Sequence, residues 1–80
     1  MELDNALYDL QLAVNESSNI FADYVLYAIN RWIETDRAST HFIKSFKTAN
    51  KPKLLSYCLE GRDLSDDCII RQARRYLKDE

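Results

Sequence analysis

The segment IFADYVLYAINRWI, Ile20 to Ile33, decides the fold class. Eleven of its fourteen residues are apolar, and only Asp23, Asn30 and Arg31 interrupt them. Placed on a helix, the apolar residues cover most of the circumference. Such a helix is buried centrally, or is covered on one side by its own domain and on the other by a partner. It falls short of the roughly 20 mostly apolar residues that a membrane span needs. Tyr24, Tyr27 and Trp32 within it carry polar tips on apolar bodies, so they are the candidate residues of a protein-partner surface.

Towards the N-terminus, Leu3, Leu7, Leu10 and Val14 recur on one helical face, which predicts a first helix from about Asp4 to Asn15. Asp4 or Asn5 can cap its start by accepting a backbone N–H. Asn15, Ser17, Ser18 and Asn19 then cluster, and such side chains compete with a helix by bonding to local backbone. A bend is expected there, with an N-cap at Ser18 or Asn19 opening a second helix from Ile20 to about Glu34. The alternative is one unbroken helix, because Phe21, Tyr24 and Ala28 keep the heptad phase of the first.

Towards the C-terminus, Thr35 to Thr40 is polar and reads as a connection. Phe42, Ile43 and Phe46 then face inward from a third helix over roughly Ala38 to Ala49. Asn50-Lys51-Pro52 ends it and opens a fourth, with Pro52 at the first helical position, where its missing N–H is not needed. Leu54, Leu55, Cys58 and Leu59 line that helix, and Gly61 is placed for a left-handed C-terminal closure. Ser65 is an N-cap for the fifth helix, Asp66 and Asp67 put negative charge at its positive end, and Leu64 with Ile69 forms a hydrophobic staple. Ile69, Ala73, Tyr76 and Leu77 form its buried stripe.

One Gly and one Pro in 80 residues exclude a β-sandwich or barrel, which needs a turn residue every ten positions or so. The expected fold is all-α, a compact bundle of four or five short helices around a central apolar helix at about residues 20–34, in a single domain over residues 1–80. The acidic start Met1-Glu2-Leu3-Asp4 does not resemble a secretory signal, which begins with basic residues. Cys58 and Cys68 read as reduced core thiols. A soluble, cytoplasmic protein is expected, with no membrane association.

Chemistry-bearing patterns are scarce. There is no glycine-rich phosphate loop, no nucleophile–base order and, with His41 as the only histidine, no metal-ligand spacing. Arg37 lies one helical turn before His41, but a surface histidine on a helix explains the pair. Asp63-Leu64-Ser65-Asp66 does not match the Asp-Ser-Leu order of acyl carrier proteins, and Ser65 is already accounted for as a cap. No enzyme activity, cofactor or metal is expected.

Charge is more informative. Residues 1–36 hold seven acidic side chains and one basic one, Arg31; residues 37–80 hold ten basic and six acidic. Lys44, Lys47 and Lys51 recur at helical spacing, as do Arg71, Arg74, Arg75 and Lys78, so each set makes a basic stripe. The fourth and fifth helices flank a short turn with Gly61, as in a helix-turn-helix. Tyr57 and Asp67 stand where that motif has a small and a β-branched residue, and Asp66 and Asp67 would meet phosphate first. The expected function is therefore that of a small non-enzymatic regulatory or inhibitory protein acting by protein–protein binding, with a homodimer slightly favoured. The second reading is a nucleic-acid-binding regulator that uses the two basic stripes.

Overall fold

The polar cluster after the first helix does break the chain. In the computed structural model, which describes residues 2–80, α1 (Leu3–Glu16) ends where Ser17 turns to extended backbone at φ −75°, ψ 140°. The Ser17 hydroxyl accepts the Asn19 N–H at 3.1 Å and the Asn19 carboxamide accepts the Phe21 N–H at 2.8 Å. These local bonds hold Ser17 to Phe21 out of the helix, so α2 (Ala22–Glu34) starts two residues later than the apolar run does. Residues 4–34 are thus two helices, and α2 lies alongside α1.

The remaining helices are α3 (Thr40–Thr48), α4 (Lys51–Leu59) and α5 (Asp66–Tyr76), and the described residues contain no strand. Side-chain caps open all three. The Ser39 hydroxyl accepts the Phe42 N–H at 3.0 Å, which keeps Ala38 and Ser39 outside the third helix. Asn50 accepts the Lys53 N–H at 2.9 Å, so Lys51 takes the first helical position and Pro52 the second. Ser65 accepts the Cys68 N–H at a longer 3.4 Å, and Leu64 ahead of it is half-buried against the core to which Ile69 belongs. Ahead of that cap the Asp63 carboxylate accepts the Ser65 N–H at 2.9 Å, a bond that holds its carboxyl below the usual range.

The helix ends differ from expectation. Gly61 does not enter the left-handed region; α4 closes instead with the Glu60 N–H on the Tyr57 carbonyl at 3.3 Å. The left-handed residues are Asp36 at φ 59° and Lys78 at φ 58°. Around Asp36, the N–H groups of Asp36 and Arg37 reach the Ile33 and Trp32 carbonyls at 3.1 and 3.2 Å. Around Lys78, the N–H groups of Lys78 and Asp79 reach Arg75 and Arg74 at 3.2 and 2.8 Å. Both are complete Schellman closures on non-glycine residues.

One buried cluster draws on all five helices: Ala6, Leu10, Ala13 and Val14; Ala22, Val25, Ala28 and Ile29; Phe42 and Phe46; Leu54, Leu55 and Cys58; Ile69, Ile70 and Ala73, with Leu77 just beyond. Phe42 is flanked by Phe46 at 6.4 Å and Trp32 at 6.5 Å between ring centroids, so aromatic packing ties α3 to α2. α2 packs on α1, α4 and α5, but with one stripe only. Ile20, Phe21, Tyr24 and Tyr27, counted as apolar in the opening run, lie outside the core. The helix is covered on one side by its own domain and open on the other.

Candidate protein-docking face

That open side is continued by α1. Tyr8 lies off the stripe of Ala6, Leu10, Ala13 and Val14 that α1 buries and borders α2, while Leu12, one turn on, borders the start of α4. Where α2 runs beside α1, a trough of about 480 Å³ forms between Leu7, Tyr8 and Gln11 on one helix and Asp23, Leu26, Tyr27 and Asn30 on the other. Leu7 and Leu26 are half-buried, which gives the trough an apolar floor. Tyr8 and Tyr27 beside it are 62% and 64% exposed, so most of each ring faces solvent.

Polar groups in the trough divide into engaged and free. Gln11 donates to Asn15 at 2.9 Å and Asn30 to Glu34 at 3.2 Å, each within its own helix. Asp23 has no ion pair among the described residues. At the loop end Phe21 stacks tilted against Tyr24 at 5.8 Å, and the neighbouring Ile20 is 82% exposed. At the other end the Arg31 guanidinium lies 5.9 Å from the Tyr27 ring centroid and 3.2 Å from the Asp66 carboxylate of α5. The one basic side chain of α1 and α2 is therefore already paired.

Of the three aromatic residues singled out in the sequence, Tyr24 and Tyr27 belong to this face and Trp32 does not. Five positions after Tyr27, Trp32 sits about 140° further round the helix. It is half-buried against Phe42, and its indole N–H is buried with no hydrogen-bond partner among the described residues. Tyr8, Ile20 and Phe21 are the members that sequence reasoning missed, while Leu12 lines the separate hollow between α1 and the start of α4. The available signal for Tyr8 was a large aromatic residue out of phase with the leucine stripe of α1.

The basic stripes fare unevenly. Lys44 is exposed and Lys47 half-exposed on α3, but Lys51 is only 5% exposed and cannot belong to a phosphate-facing stripe. Its ammonium donates to the Ala49 carbonyl at 2.9 Å and stands 4.9 Å from the Phe46 ring centroid. Burial pulls its pKa below the ordinary 10.5, opposed by the negative charge of Asp9. On α5, Arg71 is exposed, whereas Arg74 donates to the Asp79 carbonyl at 2.9 Å and Arg75 pairs with Glu80 at 3.3 Å. Lys78 is exposed at the left-handed closure.

The groups with chemical potential are in structural use. His41 Nε2 lies 3.1 Å from the Leu77 carbonyl and 3.4 Å from the Ser45 hydroxyl, joining α3 to the end of α5. Cys58 is buried in the core, and burial pushes its thiol up to about 12, far from a nucleophilic thiolate. Cys68 is half-buried, more open than a core thiol, and both cysteines are free. Among the described residues no three potential metal ligands converge, and no helix is long and apolar enough to cross a membrane. No protein-family model matches this chain, and neither a curated protein nor a solved structure does.

Proposed function

We propose that this chain is a small non-enzymatic regulatory or inhibitory protein that binds another protein through the α1–α2 face. One observation carries the reading. All the large apolar residues that stand exposed among the described residues, Tyr8, Leu12, Ile20, Phe21, Tyr24 and Tyr27, belong to α1, α2 and their connection; α3, α4 and α5 contribute none. Apolar residues scattered singly over a surface need no explanation, but a concentration on one helix pair marks an interaction site. Tyrosine suits the role, since it presents a large, rigid contact area with few rotatable bonds.

The nucleic-acid reading retains Lys44, Lys47, Arg71 and Lys78, after the burial of Lys51 and the pairing of Arg74 and Arg75. Photo-crosslinking in cells separates the two. A benzophenone side chain placed at Tyr8 or Tyr24 is expected to capture protein, while the same group at Lys44 or Arg71 captures little. Nuclease-sensitive adducts at Lys44 and Arg71, with none at Tyr8 or Tyr24, would replace this reading with the nucleic-acid one.

A further inference from the structure

Resting on the protein-docking reading of the α1–α2 face, we infer that its occupant is a basic amphipathic helix from a different protein. Three features of the trough point to it. The first is charge. Asp23 lies in the trough unpaired, Asp4 stands seven residues before Gln11 on the same side of α1, and Glu34 is one turn beyond Asn30 on α2, whereas Asp9 and Glu16 line a separate hollow against the start of α4. Arg31 is the single opposing charge, and Asp66 at 3.2 Å with the Tyr27 ring at 5.9 Å occupies it. A partner with lysine or arginine along the edges of its apolar stripe meets complementary charge, and an acidic partner meets repulsion.

The second feature is the kind of surface. The trough lies between two helices whose backbone groups are already hydrogen-bonded along their own axes. An extended segment would find no sheet edge here, and its own N–H and C=O groups would lose water without a replacement. A helix arrives with those groups satisfied and needs only side-chain contacts. Its anchors must match the span of the floor. Asp23 to Asn30 covers about 10 Å of α2 at ~1.5 Å per residue, which is the reach of one helical face from position i through i+3 or i+4 to i+7.

The third feature concerns a second copy of the chain. A two-fold pairing of this face would set acidic α1–α2 surfaces against each other. Pairing it with the basic half of another copy is heterologous, leaves one face free at each end and grows into an open chain. Neither arrangement closes well, so the sequence-based preference for a homodimer gives way to a heterologous partner.

The test is selection from a displayed library of random peptides about sixteen residues long, with the Tyr8→Ala/Tyr27→Ala double variant as counter-target. Both tyrosines are mostly exposed, and circular dichroism checks that the variant stays folded. The expected binders are net positive, carry Leu, Ile or Phe at i, i+3 or i+4, and i+7, and lose about ten-fold or more in affinity on the double variant. Their binding should weaken several-fold from about 50 to 300 mM salt. Binders that need the tyrosines but are neutral, acidic or extended would overturn this inference and leave the docking face standing. Binders indifferent to the tyrosines would overturn both. Sedimentation that shows self-association abolished by Tyr27→Ala would assign the face to a second copy instead.

Discussion

Replacing Tyr27 with alanine distinguishes a side chain held out for a partner from one that holds the fold together. Tyr27 is 64% exposed, so roughly one third of it is removed from water by its own chain. Complete burial of a large apolar side chain is worth about 1.5–3 kcal/mol, so a third of that is about 0.5–1 kcal/mol. The exposed ring contact with Arg31 adds about 0.5 kcal/mol at such a site. Alanine returns about 0.5 kcal/mol through its better helix propensity. The net cost is about 1 kcal/mol at most. Phe42→Ala provides the contrast, since Phe42 is fully buried between Trp32 and Phe46 and its truncation should cost about 3–5 kcal/mol. Urea unfolding followed by the fluorescence of Trp32, the single tryptophan and a neighbour of Phe42, reports both variants. With a slope of about 1 kcal/mol per molar urea, Tyr27→Ala should move the midpoint by about 1 M or less. A loss of more than about 2 kcal/mol on Tyr27→Ala would show that the chain itself covers this ring, and the docking face would be refuted.

Asn50→Ala should cost about 1 kcal/mol, and Ser65→Ala about half as much because its cap bond is 3.4 Å rather than 2.9 Å long; equal thermal shifts would contradict this ranking. Asp36→Gly should raise the thermal midpoint, since a left-handed residue with a side chain costs about 1 kcal/mol that glycine avoids. Gly61→Ala should be tolerated or mildly stabilising, because its φ is not positive and an added methyl group meets its nearest neighbours at 3.7 Å. Lys51 should give a pH signature: its folded pKa lies below the unfolded value of 10.5, so between the two the unfolded chain binds more protons and stability at this site rises with pH. Wild type should accordingly gain on Lys51→Met as pH climbs towards 10.5 in paired urea titrations, and a gap that widens the other way would refute the assignment. Iodoacetamide should label the half-buried Cys68 in the native protein and reach Cys58 only on unfolding, as read by peptide mass spectrometry.

The all-α class and helix order were legible because every helix buries a periodic stripe, with Leu10, Val14, Phe42, Phe46, Leu54, Ile69 and Ala73 where periodicity places them, while periodicity left the number at four or five. The break after α1 was favoured for a local reason, the side-chain competition of Ser17 and Asn19 with the backbone, but the continuing heptad phase of Phe21, Tyr24 and Ala28 left one unbroken helix open. The left-handed closures were not legible. Asp36 and Lys78 carry no compositional mark, and Gly61, which does, adopts an ordinary conformation. The site was half legible. The excess of apolar residues in α2 signalled an uncovered side, but Trp32 and Tyr27 look alike in a list of aromatics and differ only in their angle round the helix. Lys51 shows the opposite failure: its spacing from Lys44 and Lys47 suggests a stripe, yet it opens α4 at the junction with Phe46, where its aliphatic stem packs inward and its ammonium finds Ala49.

The claim that the α1–α2 face is the functional surface is tested most directly with the protein captured by crosslinking at Tyr8. Calorimetric titration of that partner compares wild type, Tyr24→Ala/Tyr27→Ala and Lys44→Glu/Lys47→Glu. The tyrosine variant should bind about thirty-fold or more weakly while unfolding near the wild-type midpoint, and the lysine variant should bind within about three-fold of wild type. Wild-type affinity in the tyrosine variant, with binding lost in the lysine variant, would contradict the account.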